Sequence, residues 1–297
     1  MTAKVSVVIP TIEEESIFPL IDEIYSMLGK NTEIIVVDKS SDEYYNKLKK
    51  TGVTIIRQKD RGVEKAIMMG LKAAKGEILA SIDADRTHEA RGLLEGVRIV
   101  EKGDADIVLG NRMAGLEKGS MSFYLRFGNS FLSWLFSVLY KSKVHDILTG
   151  LFVVRHDAFE SIAKIEPYRA GIAFFVIELA NKGYKIKEIP IRYSKREYGE
   201  SVLTNSKLGY GFTVASHMVR RIRDYSPLLV FGSLGVIFVL AGLILSIYVL
   251  ANFLSTGLFT EIGRALISFM LFVVGILSII AGFILDLLLE IDRKLDR

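Results

Sequence analysis

The 297-residue chain contains no cysteine. This absence excludes disulfide bonds, metal sites built from thiolates and catalysis by a cysteine nucleophile. The sequence also lacks internal repeats and low-complexity tracts. Its net charge at pH 7 is only +4, which favours contact with anionic surfaces such as phosphate or lipid headgroups but gives no indication of a nucleic-acid partner.

Charge is also missing from two long stretches near the C-terminus, residues 228–251 and 265–285. Each is at least as long as the ~20 apolar residues that a helix needs to cross a bilayer. Core helices of soluble proteins rarely reach this length without a charged residue. We therefore predict a transmembrane hairpin over residues 227–290, with spans at about 228–251 and 265–289.

Basic residues flank both predicted spans. They are Arg220, Arg221 and Arg223 before the first span, and Arg293, Lys294 and Arg297 after the second. Because positively charged flanks stay on the cytoplasmic side of a membrane, we expect both flanks, including a short tail at residues 291–297, to be cytoplasmic. The protein would then be a multi-pass protein of a cell membrane or an endoplasmic-reticulum-like membrane, with its N-terminal domain in the cytoplasm.

The first 202 residues alternate short apolar runs with segments of helical periodicity. The predicted strands are residues 5–9, 34–37, 53–56, 78–82, 107–109, 151–154 and 186–193. This alternation predicts an α/β domain with a mostly parallel sheet and right-handed crossovers. The polar residues that follow the first five strands are Thr11, Asp38, Asp60, Asp83 and Arg112. In an open α/β sheet, this is the edge at which ligands bind.

The most informative of these strand ends is Asp83-Ala84-Asp85, which directly follows the apolar run 78–82. Two carboxylates one residue apart can converge on one hard cation. Mg²⁺ usually takes one or two carboxylates and completes its shell with water and substrate phosphates. We interpret the triplet as a metal–diphosphate site; taken alone, it could equally be a solvated turn.

Residues 120–140 predict a helix with many aromatic residues and several polar interruptions. Such a composition suits a helix that lies in the membrane interface rather than one that spans the bilayer. An ordinary amphipathic core helix would show the same periodicity. Residues 203–226 are a second candidate for an interfacial helix.

Three residues suggest a second, phosphate-binding site. Arg126 and Ser130 lie one turn apart on the aromatic helix and can face the same way. Arg112 follows a strand at the same edge as Asp85. Because arginine binds phosphate oxygens bidentately, the set suits one phosphate beside the metal. Taken singly, each arginine would more commonly be a solvated surface charge.

Several motifs resemble the family-2 inverting glycosyltransferases of the GT-A fold. They are Val7-Val8-Ile9-Pro10-Thr11 with Glu14, Asp38 after a strand, Arg61-Gly62 before a helix, Asp83-Ala84-Asp85 with His88, and Gly110-Asn111-Arg112. Motifs that resemble the polyprenyl-phosphate branch, typified by dolichyl-phosphate mannose synthase, are Thr149-Gly150-Leu151-Phe152, Glu188-Ile189-Pro190-Ile191 and Arg196-Glu197-Tyr198-Gly199-Glu200-Ser201. The resemblance covers about residues 5–203, and the hairpin agrees in kind with members of that branch.

The resemblance implies a role for each matching residue. The nucleotide-sugar pocket would contain Pro10, Thr11, Glu14, Asp38, Asp60, Asp83, Ala84, Asp85 and Arg196. The metal, Mg²⁺ or Mn²⁺, would be held by Asp83 and Asp85, and the lipid phosphate by Arg112, Arg126 and Ser130. The residues implied in catalysis are Asp85, Arg112, Arg126 and Arg196.

The chain departs from the family pattern at four positions. A common asparagine is replaced by Glu13, the second residue of an acidic pair by Lys39, a glutamine that often helps to hold the metal by Thr87, and an expected lysine by Val202. These changes concern the identity of the nucleotide and the geometry of the metal. They leave the two carboxylates Asp83 and Asp85 in place.

The implied reaction is transfer of a hexose, with inversion, from GDP-mannose or a UDP-sugar to dolichyl or another polyprenyl phosphate, for glycan or glycoprotein assembly. Because the acceptor phosphate is already an anionic nucleophile, no strong general base is required, and we expect Glu178 to be structural. A processive polysaccharide synthase is a second hypothesis, although two spans make a poor polymer channel. A third is a non-catalytic membrane scaffold with a decayed nucleotide fold, which Lys39 and Thr87 would support.

Overall fold

The computed structural model of the protein describes residues 4–59, 62–167, 170–195 and 207–295. Two of the predicted site residues, Asp60 and Arg196, lie outside the described residues, as do Arg61 and residues 197–202 of the quoted motifs and Arg297 of the tail. The chain divides into two compact units, Met1–Met218 and Val219–Arg297.

The strands are β1 (Val5–Thr11), β2 (Glu33–Asp38), β3 (Thr54–Arg57), β4 (Ile78–Ile82), β5 (Ile107–Leu116), β6 (Leu151–Arg155) and β7 (Ile186–Tyr193). The helices are α1 (Ile17–Leu28), α2 (Asp42–Lys49), α3 (Val63–Ala73), α4 (Arg91–Glu101), α5 (Phe123–Tyr140), α6 (His156–Glu160), α7 (Ile172–Asn181), α8 (Lys207–Tyr225), α9 (Pro227–Thr256) and α10 (Ile262–Leu295). The predicted α/β class is confirmed, and the predicted spans fall within α9 and α10.

The first unit is built on a seven-stranded sheet of order β3-β2-β1-β4-β6-β5-β7. All neighbouring pairs are parallel except those of β6, which runs antiparallel to both β4 and β5. The predicted mostly parallel sheet is therefore confirmed. Because β6 runs against its neighbours, its first residues lie at the edge where β4 ends.

Helices cover both faces of this sheet, which explains why its central strands are predominantly apolar. Within β1, Val8 contributes to the core under α3 and α7, whereas Val7 and Ile9 contribute to the core under α1 and α4. This alternation follows from the period of two in a strand. Every residue of β4 is buried, and charged residues begin only where β4 ends.

The structure differs from the sequence prediction at β5, which continues from Leu109 to Leu116. This extension pairs with β7, with a register shift between Asn111 and Gly115. Its polar and glycine residues hide the strand pattern, and the pairing partner is 75 or more residues away in the chain. Gly110, Asn111 and Arg112 are therefore inside a strand, where the sequence had suggested that they follow one.

The second unit contains α9 and α10, two helices that are long and apolar enough to cross a membrane. The two candidate spans are 30 residues each, and mean hydropathy over an 18-residue stretch of each is 2.8 and 2.7. They approach closely at Gly235 and Gly275, where an added Cβ would collide with the facing backbone. The hydroxyls of Ser246 and Ser268 lie 2.6 Å apart. Small residues and interhelical hydrogen bonds are the usual means by which apolar helices associate within lipid.

Candidate active site

The Asp83–Asp85 triplet forms a tight turn at the end of β4. The backbone N–H of Asp83 donates to the carbonyl of Gly150 at 3.1 Å, which fixes the turn to the start of β6. The next residue, Arg86, has a left-handed backbone with φ of 52°, and its Nε lies 3.7 Å from Glu23 Oε2 on α1. The chain thus reverses sharply and leaves the Asp83 and Asp85 side chains partly exposed at the sheet edge.

Gly150 allows this turn to approach β6. A Cβ at Gly150 would overlap Asp83 Oδ2 and would lie 2.5 Å from His88 Cε1. No other residue could occupy this position without displacing the Asp83 carboxylate or the His88 ring. The glycine of the Thr149-Gly150-Leu151-Phe152 motif therefore has a steric role in the site.

Asp85 is held by residues that follow it in the chain. Its Oδ1 atom accepts hydrogen bonds from the backbone N–H of Thr87 at 3.1 Å and from the Thr87 hydroxyl at 2.7 Å. Thr87 Oγ1 also lies 3.0 Å from Nδ1 of His88. His88 is only 3% exposed, and burial, together with the Arg112 charge, lowers its pKa to about 3. The imidazole is therefore neutral at physiological pH.

Arg112 is held in place by a buried carboxylate that the sequence analysis did not identify. Its Nε and Nη2 donate to Oδ2 and Oδ1 of Asp146, each at 2.7 Å, and its backbone N–H donates to Oδ2 at 2.8 Å. Asp146 is completely buried. Burial alone would lower the pKa of Arg112, but the Asp146 carboxylate outweighs it and the pKa is raised. The guanidinium is therefore fixed and charged.

The loop that carries Asp146 is held from two sides. Glu188 on β7 accepts the backbone N–H groups of His145 and Asp146 at 2.8 and 2.9 Å. On the other side, Asn129 and Ser133 of α5 accept the backbone N–H groups of Leu148 and Ile147 at 3.3 and 3.1 Å. Helix α5, the Asp146 loop and β7 consequently form one hydrogen-bonded assembly around Arg112.

Arg126 and Ser130 lie on an exposed part of α5. They stand at the border between the buried face of the helix, which contains Asn129 and Ser133, and its exposed aromatic face. The exposed large apolar residues are Phe123, Tyr124, Phe127, Phe131, Trp134 and Val138. In the part of the chain that the structure describes, no carboxylate forms a salt bridge with Arg126. Its cationic end is therefore available to an anionic ligand.

The predicted nucleotide pocket lies at the ends of β1 and β2. Thr11 and Asp38 are the last residues of these strands, and Pro10 lies partly exposed within β1. Asp38 is fully buried and already pairs with Arg57 at 2.7 Å, while Glu14 is also buried. The structure thus brings these residues to the expected edge, and their contact with a nucleotide stays a prediction.

Two residues near the site, the buried Glu64 and the half-buried Tyr210, were not singled out by sequence. Tyr210, in the part of α8 that belongs to the first unit, has a raised pKa because of its burial and, next, the negative charges of Glu64 and Asp83. A Cβ at Gly171 would overlap the Tyr210 hydroxyl. Tyr210 and Glu64 thus lie within electrostatic range of the Asp83 turn. A single tyrosine in a helix of mixed composition gave no signal of this position.

The site has a donor set that fits a metal shared with a substrate. Among the described residues, no group of three or more histidine, aspartate or glutamate side chains could hold a metal. Asp83 and Asp85 alone would suffice for Mg²⁺ or Mn²⁺, since such ions complete their shells with phosphate oxygens and water. Gly150 leaves room for Asp83 Oδ2 at this edge, which a Cβ at that position would displace.

Comparison with known proteins agrees with this geometry. A model described as glycosyl transferase family 2 matches residues 6–162. This match covers more than half of the chain and includes strands β2 to β6, the Asp83–Asp85 turn, Arg112, Asp146 and Gly150. The chain belongs to glycosyl transferase family 2. It is therefore a glycosyltransferase, as predicted, and GT-A enzymes of this family generally use a divalent metal.

Three of the curated relatives come from two archaeal species. The low-salt glycan biosynthesis hexosyltransferase Agl6 of Haloferax volcanii is 30% identical over 211 residues, which are 69% of this chain and 51% of that protein. The dolichol-phosphate mannosyltransferase of Pyrococcus furiosus is 28% identical over 74% of this chain and 64% of its own length. A dolichyl-phosphate hexose transferase of Haloferax volcanii is 30% identical over 64% of this chain and 82% of its own length. The glycosyltransferase thus spans about half to two thirds of the first two relatives.

One solved structure confirms the fold. The mannosyl-3-phosphoglycerate synthase of Rubrobacter xylanophilus superimposes with a TM-score of 0.53 and 20% sequence identity, covering 75% of this chain and 74% of that one. At this level of identity the likeness concerns the arrangement of the sheet and its helices. The predicted GT-A fold is confirmed for the first unit.

Asp146→Asn tests the buried pair with Arg112. Removing one charge would leave the buried guanidinium without its counter-ion, which should lower the free energy of unfolding by about 3 kcal/mol. Thermal unfolding of the detergent-solubilised full chain measures the effect. The matched control is Asp104→Asn, which removes an exposed carboxylate 3.7 Å from Lys187 and should have little effect. Equal shifts in both variants would contradict a special role for Asp146.

Proposed function

We propose that this glycosyltransferase transfers a hexose from a nucleotide diphosphate sugar, GDP-mannose or a UDP-sugar, to the phosphate of dolichol or another polyprenol. The proposal rests on one observation: two candidate binding sites, one for each substrate, are connected within the first unit. The carboxylates of the Asp83 turn suit a metal-bound diphosphate, and the exposed aromatic face of α5, with Arg126 at its border, suits an anionic lipid. A hydrogen-bonded loop joins α5 to Arg112.

The donor half of the proposal rests on the edge of the sheet. Asp83 and Asp85 are partly exposed at the end of β4, beside the ends of β1 and β2. Ligands of α/β sheets bind outside such strand ends. When bound there, a divalent metal would neutralise the diphosphate that leaves the sugar. Asp83 and Asp85 would hold it, which accounts for a pair of carboxylates without a third metal-binding side chain among the described residues.

The acceptor half rests on α5. Phe123 and Tyr124 are 72% and 84% exposed, which is unusual for large aromatic side chains. An interfacial helix presents such residues to the headgroup region and keeps its polar groups at the border. A lipid phosphate at that depth would lie beside Arg126 and the Ser130 hydroxyl, both exposed at the border of the same face.

Arg112 would complete the phosphate site from the sheet side. Its Nε and Nη2 atoms are used by Asp146, which leaves Nη1 for an oxygen of the acceptor phosphate or of the departing diphosphate. A fixed cation stabilises developing negative charge better than a mobile one because it does not need to reorganise. The ion pair with Asp146 therefore fixes the orientation of Arg112 and neutralises part of its charge.

The chemistry follows from the charge of the acceptor. A phosphomonoester is anionic at neutral pH, so its oxygen can attack the anomeric carbon of the sugar without a general base. Attack from the side opposite to the leaving diphosphate inverts the configuration. The residues of this chain would act by orienting the two substrates and by charge neutralisation. Glu178, which lies 3.4 Å from His217 and is fully buried, is not needed as a base.

The named relatives support this choice of substrates. Two of them are named for dolichol-phosphate or dolichyl-phosphate transfer of mannose or hexose. The two helices that are long and apolar enough to cross a membrane would keep the enzyme where such an acceptor resides. We place both ends of the hairpin, and with them the first unit, in the cytoplasm, where positively charged flanks are retained.

Transfer is tested directly with purified full-length protein, a panel of GDP- and UDP-sugars, and dolichyl or undecaprenyl phosphate. We expect one donor to give a polyprenyl-phosphate sugar in a reaction that stops with EDTA. Asp85→Ala should lower turnover about 100-fold or more, on the order of 3 kcal/mol in the transition state. Undiminished turnover in EDTA would overturn the metal assignment, and no transfer with any pair would overturn the proposed reaction.

Arg126→Ala separates acceptor from donor binding. Loss of one charge-assisted phosphate contact, roughly 1.5–3 kcal/mol, should lower kcat/KM for the lipid about 10- to 150-fold and leave nucleotide-sugar affinity unchanged by calorimetry. Arg126→Lys should recover part of the loss, because a point charge does not reproduce the planar fork. Arg98→Ala, which removes an exposed arginine on α4, is the matched control. Equal damage to both substrates would assign Arg126 to the donor or to the fold.

The absence of native cysteine allows a clean test of topology. Single cysteines at Ser255, beside the link between α9 and α10, and at Glu43, an exposed residue of α2, should react differently with a membrane-impermeant thiol reagent. In intact cells we expect labelling at position 255 and none at position 43, and labelling of both after lysis. The reverse pattern would place the first unit outside and remove access to a cytoplasmic donor.

A further inference from the structure

Three consecutive hydrogen bonds connect Gly150 at the start of β6 to the carboxylate of Asp85. The Gly150 N–H donates to His88 Nε2 at 3.3 Å. His88 Nδ1 lies 3.0 Å from Thr87 Oγ1, and Thr87 Oγ1 donates to Asp85 Oδ1 at 2.7 Å. No assigned function of the site requires this chain of contacts, which ends on a proposed metal ligand.

The Gly150 N–H, which can only donate, and the Asp85 carboxylate, which can only accept, together fix the direction of each hydrogen bond. A backbone N–H can only donate, so Nε2 of His88 must accept and carries no proton. The single proton of the imidazole is then on Nδ1 and is donated to Thr87 Oγ1. A carboxylate oxygen can only accept, so the Thr87 hydroxyl, which accepts from Nδ1, donates its own proton to Asp85 Oδ1. The Gly150 N–H thus selects the tautomer of His88, and the Asp85 carboxylate sets the direction of the Thr87 hydroxyl.

This series of hydrogen bonds determines which oxygen of Asp85 remains available to a ligand. Oδ1 accepts from both the hydroxyl and the backbone N–H of Thr87. Within the described residues, no hydrogen bond reaches Oδ2. Thr87 and His88 are 4% and 3% exposed, so water competes little for these bonds. Asp85 is consequently held in one rotational state with one oxygen uncommitted.

We propose that Thr87 and His88 are positioning residues that orient Asp85, so that its Oδ2 binds a divalent cation together with the donor diphosphate. The proposal rests on the proposed function of the Asp83 turn. It also explains a departure from the family pattern, because Thr87 replaces a glutamine that often helps to hold the metal. In this chain the residue acts on the carboxylate instead of on the ion.

The Thr87 hydroxyl is tested by an isosteric pair of variants. Thr87→Val removes the hydroxyl and keeps the shape, whereas Thr87→Ser keeps the hydroxyl. Loss of an outer partner of a metal ligand typically costs about 10- to 100-fold in metal affinity. We expect Thr87→Val to weaken Mn²⁺ binding at least about 10-fold in the presence of GDP or UDP, measured by the EPR signal of free Mn²⁺, and Thr87→Ser to retain wild-type affinity. Thr32→Val, which removes another buried hydroxyl, one that donates to the Leu28 carbonyl, is the matched control.

Two variants test the two ring nitrogens of His88 separately. In His88→Asn the amide can replace Nδ1 as donor to Thr87, while in His88→Gln it can replace Nε2 as acceptor of the Gly150 N–H. We expect His88→Asn to retain more Mn²⁺ affinity than His88→Gln. In a double-mutant cycle, the effect of His88→Gln should largely disappear in the Thr87→Val background, because the ring would act through the hydroxyl.

These measurements distinguish the inference from the function on which it rests. Wild-type Mn²⁺ affinity in Thr87→Val, or equal losses in Thr87→Ser and Thr87→Val, would overturn the positioning role. Absence of Mn²⁺ binding in the wild type would overturn the metal assignment as well. Failure of the wild type to transfer sugar to a lipid phosphate, with the expected pattern of Mn²⁺ affinities, would leave the positioning role intact and overturn only the proposed acceptor.

Discussion

The approach of Gly150 to Asp83 and His88 is the contact on which the rest of the site depends. It exists because β6 runs antiparallel to β4, so that the start of one strand meets the end of the other. The Gly150 carbonyl then accepts from the Asp83 N–H, and its own N–H donates to His88. A larger residue would displace the Asp83 carboxylate or the His88 ring.

Electrostatic balance is the second requirement, because the site must attract a polyanion while it contains two carboxylates. A further carboxylate, Asp146, forms an ion pair with Arg112. This pair is stable only if the loop of Asp146 cannot move, and Glu188 and α5 supply that restraint through backbone hydrogen bonds. The pair reduces the net positive charge at Arg112 but fixes the position of its guanidinium.

Most of the fold could be predicted from the sequence because its central strands are buried on both faces. The runs ending at Ile9, Val37 and Ile82 are apolar except for Ser6 and Ser81, and polar residues follow at Thr11, Asp38 and Asp83. The extension of β5 could not be predicted in this way, since residues such as Arg112 become part of a strand only through pairing with β7. Local pattern carries no information about a partner so distant in the chain.

The same distinction applies to the site. Asp83 and Asp85 were recognisable because paired carboxylates after a buried strand are a local signal, and the family to which they point is shown by comparison. Asp146 was missed because a single aspartate in a polar and apolar mixture resembles a surface residue until its burial is known. The roles of Thr87 and His88 depend on Gly150, 62 residues away from His88, and this proximity exists only in the folded chain.

The exposed aromatic face of α5 has a consequence for kinetics under the proposed function. An enzyme that rests on a bilayer through Phe123, Tyr124 and Phe127 meets its acceptor by lateral diffusion in two dimensions and its donor by diffusion from bulk water. The concentration that governs acceptor saturation is then the surface density of the lipid, its mole fraction in the bilayer. Added inert phospholipid would dilute one substrate and leave the other unchanged, so the two substrates of a single site would obey different concentration scales.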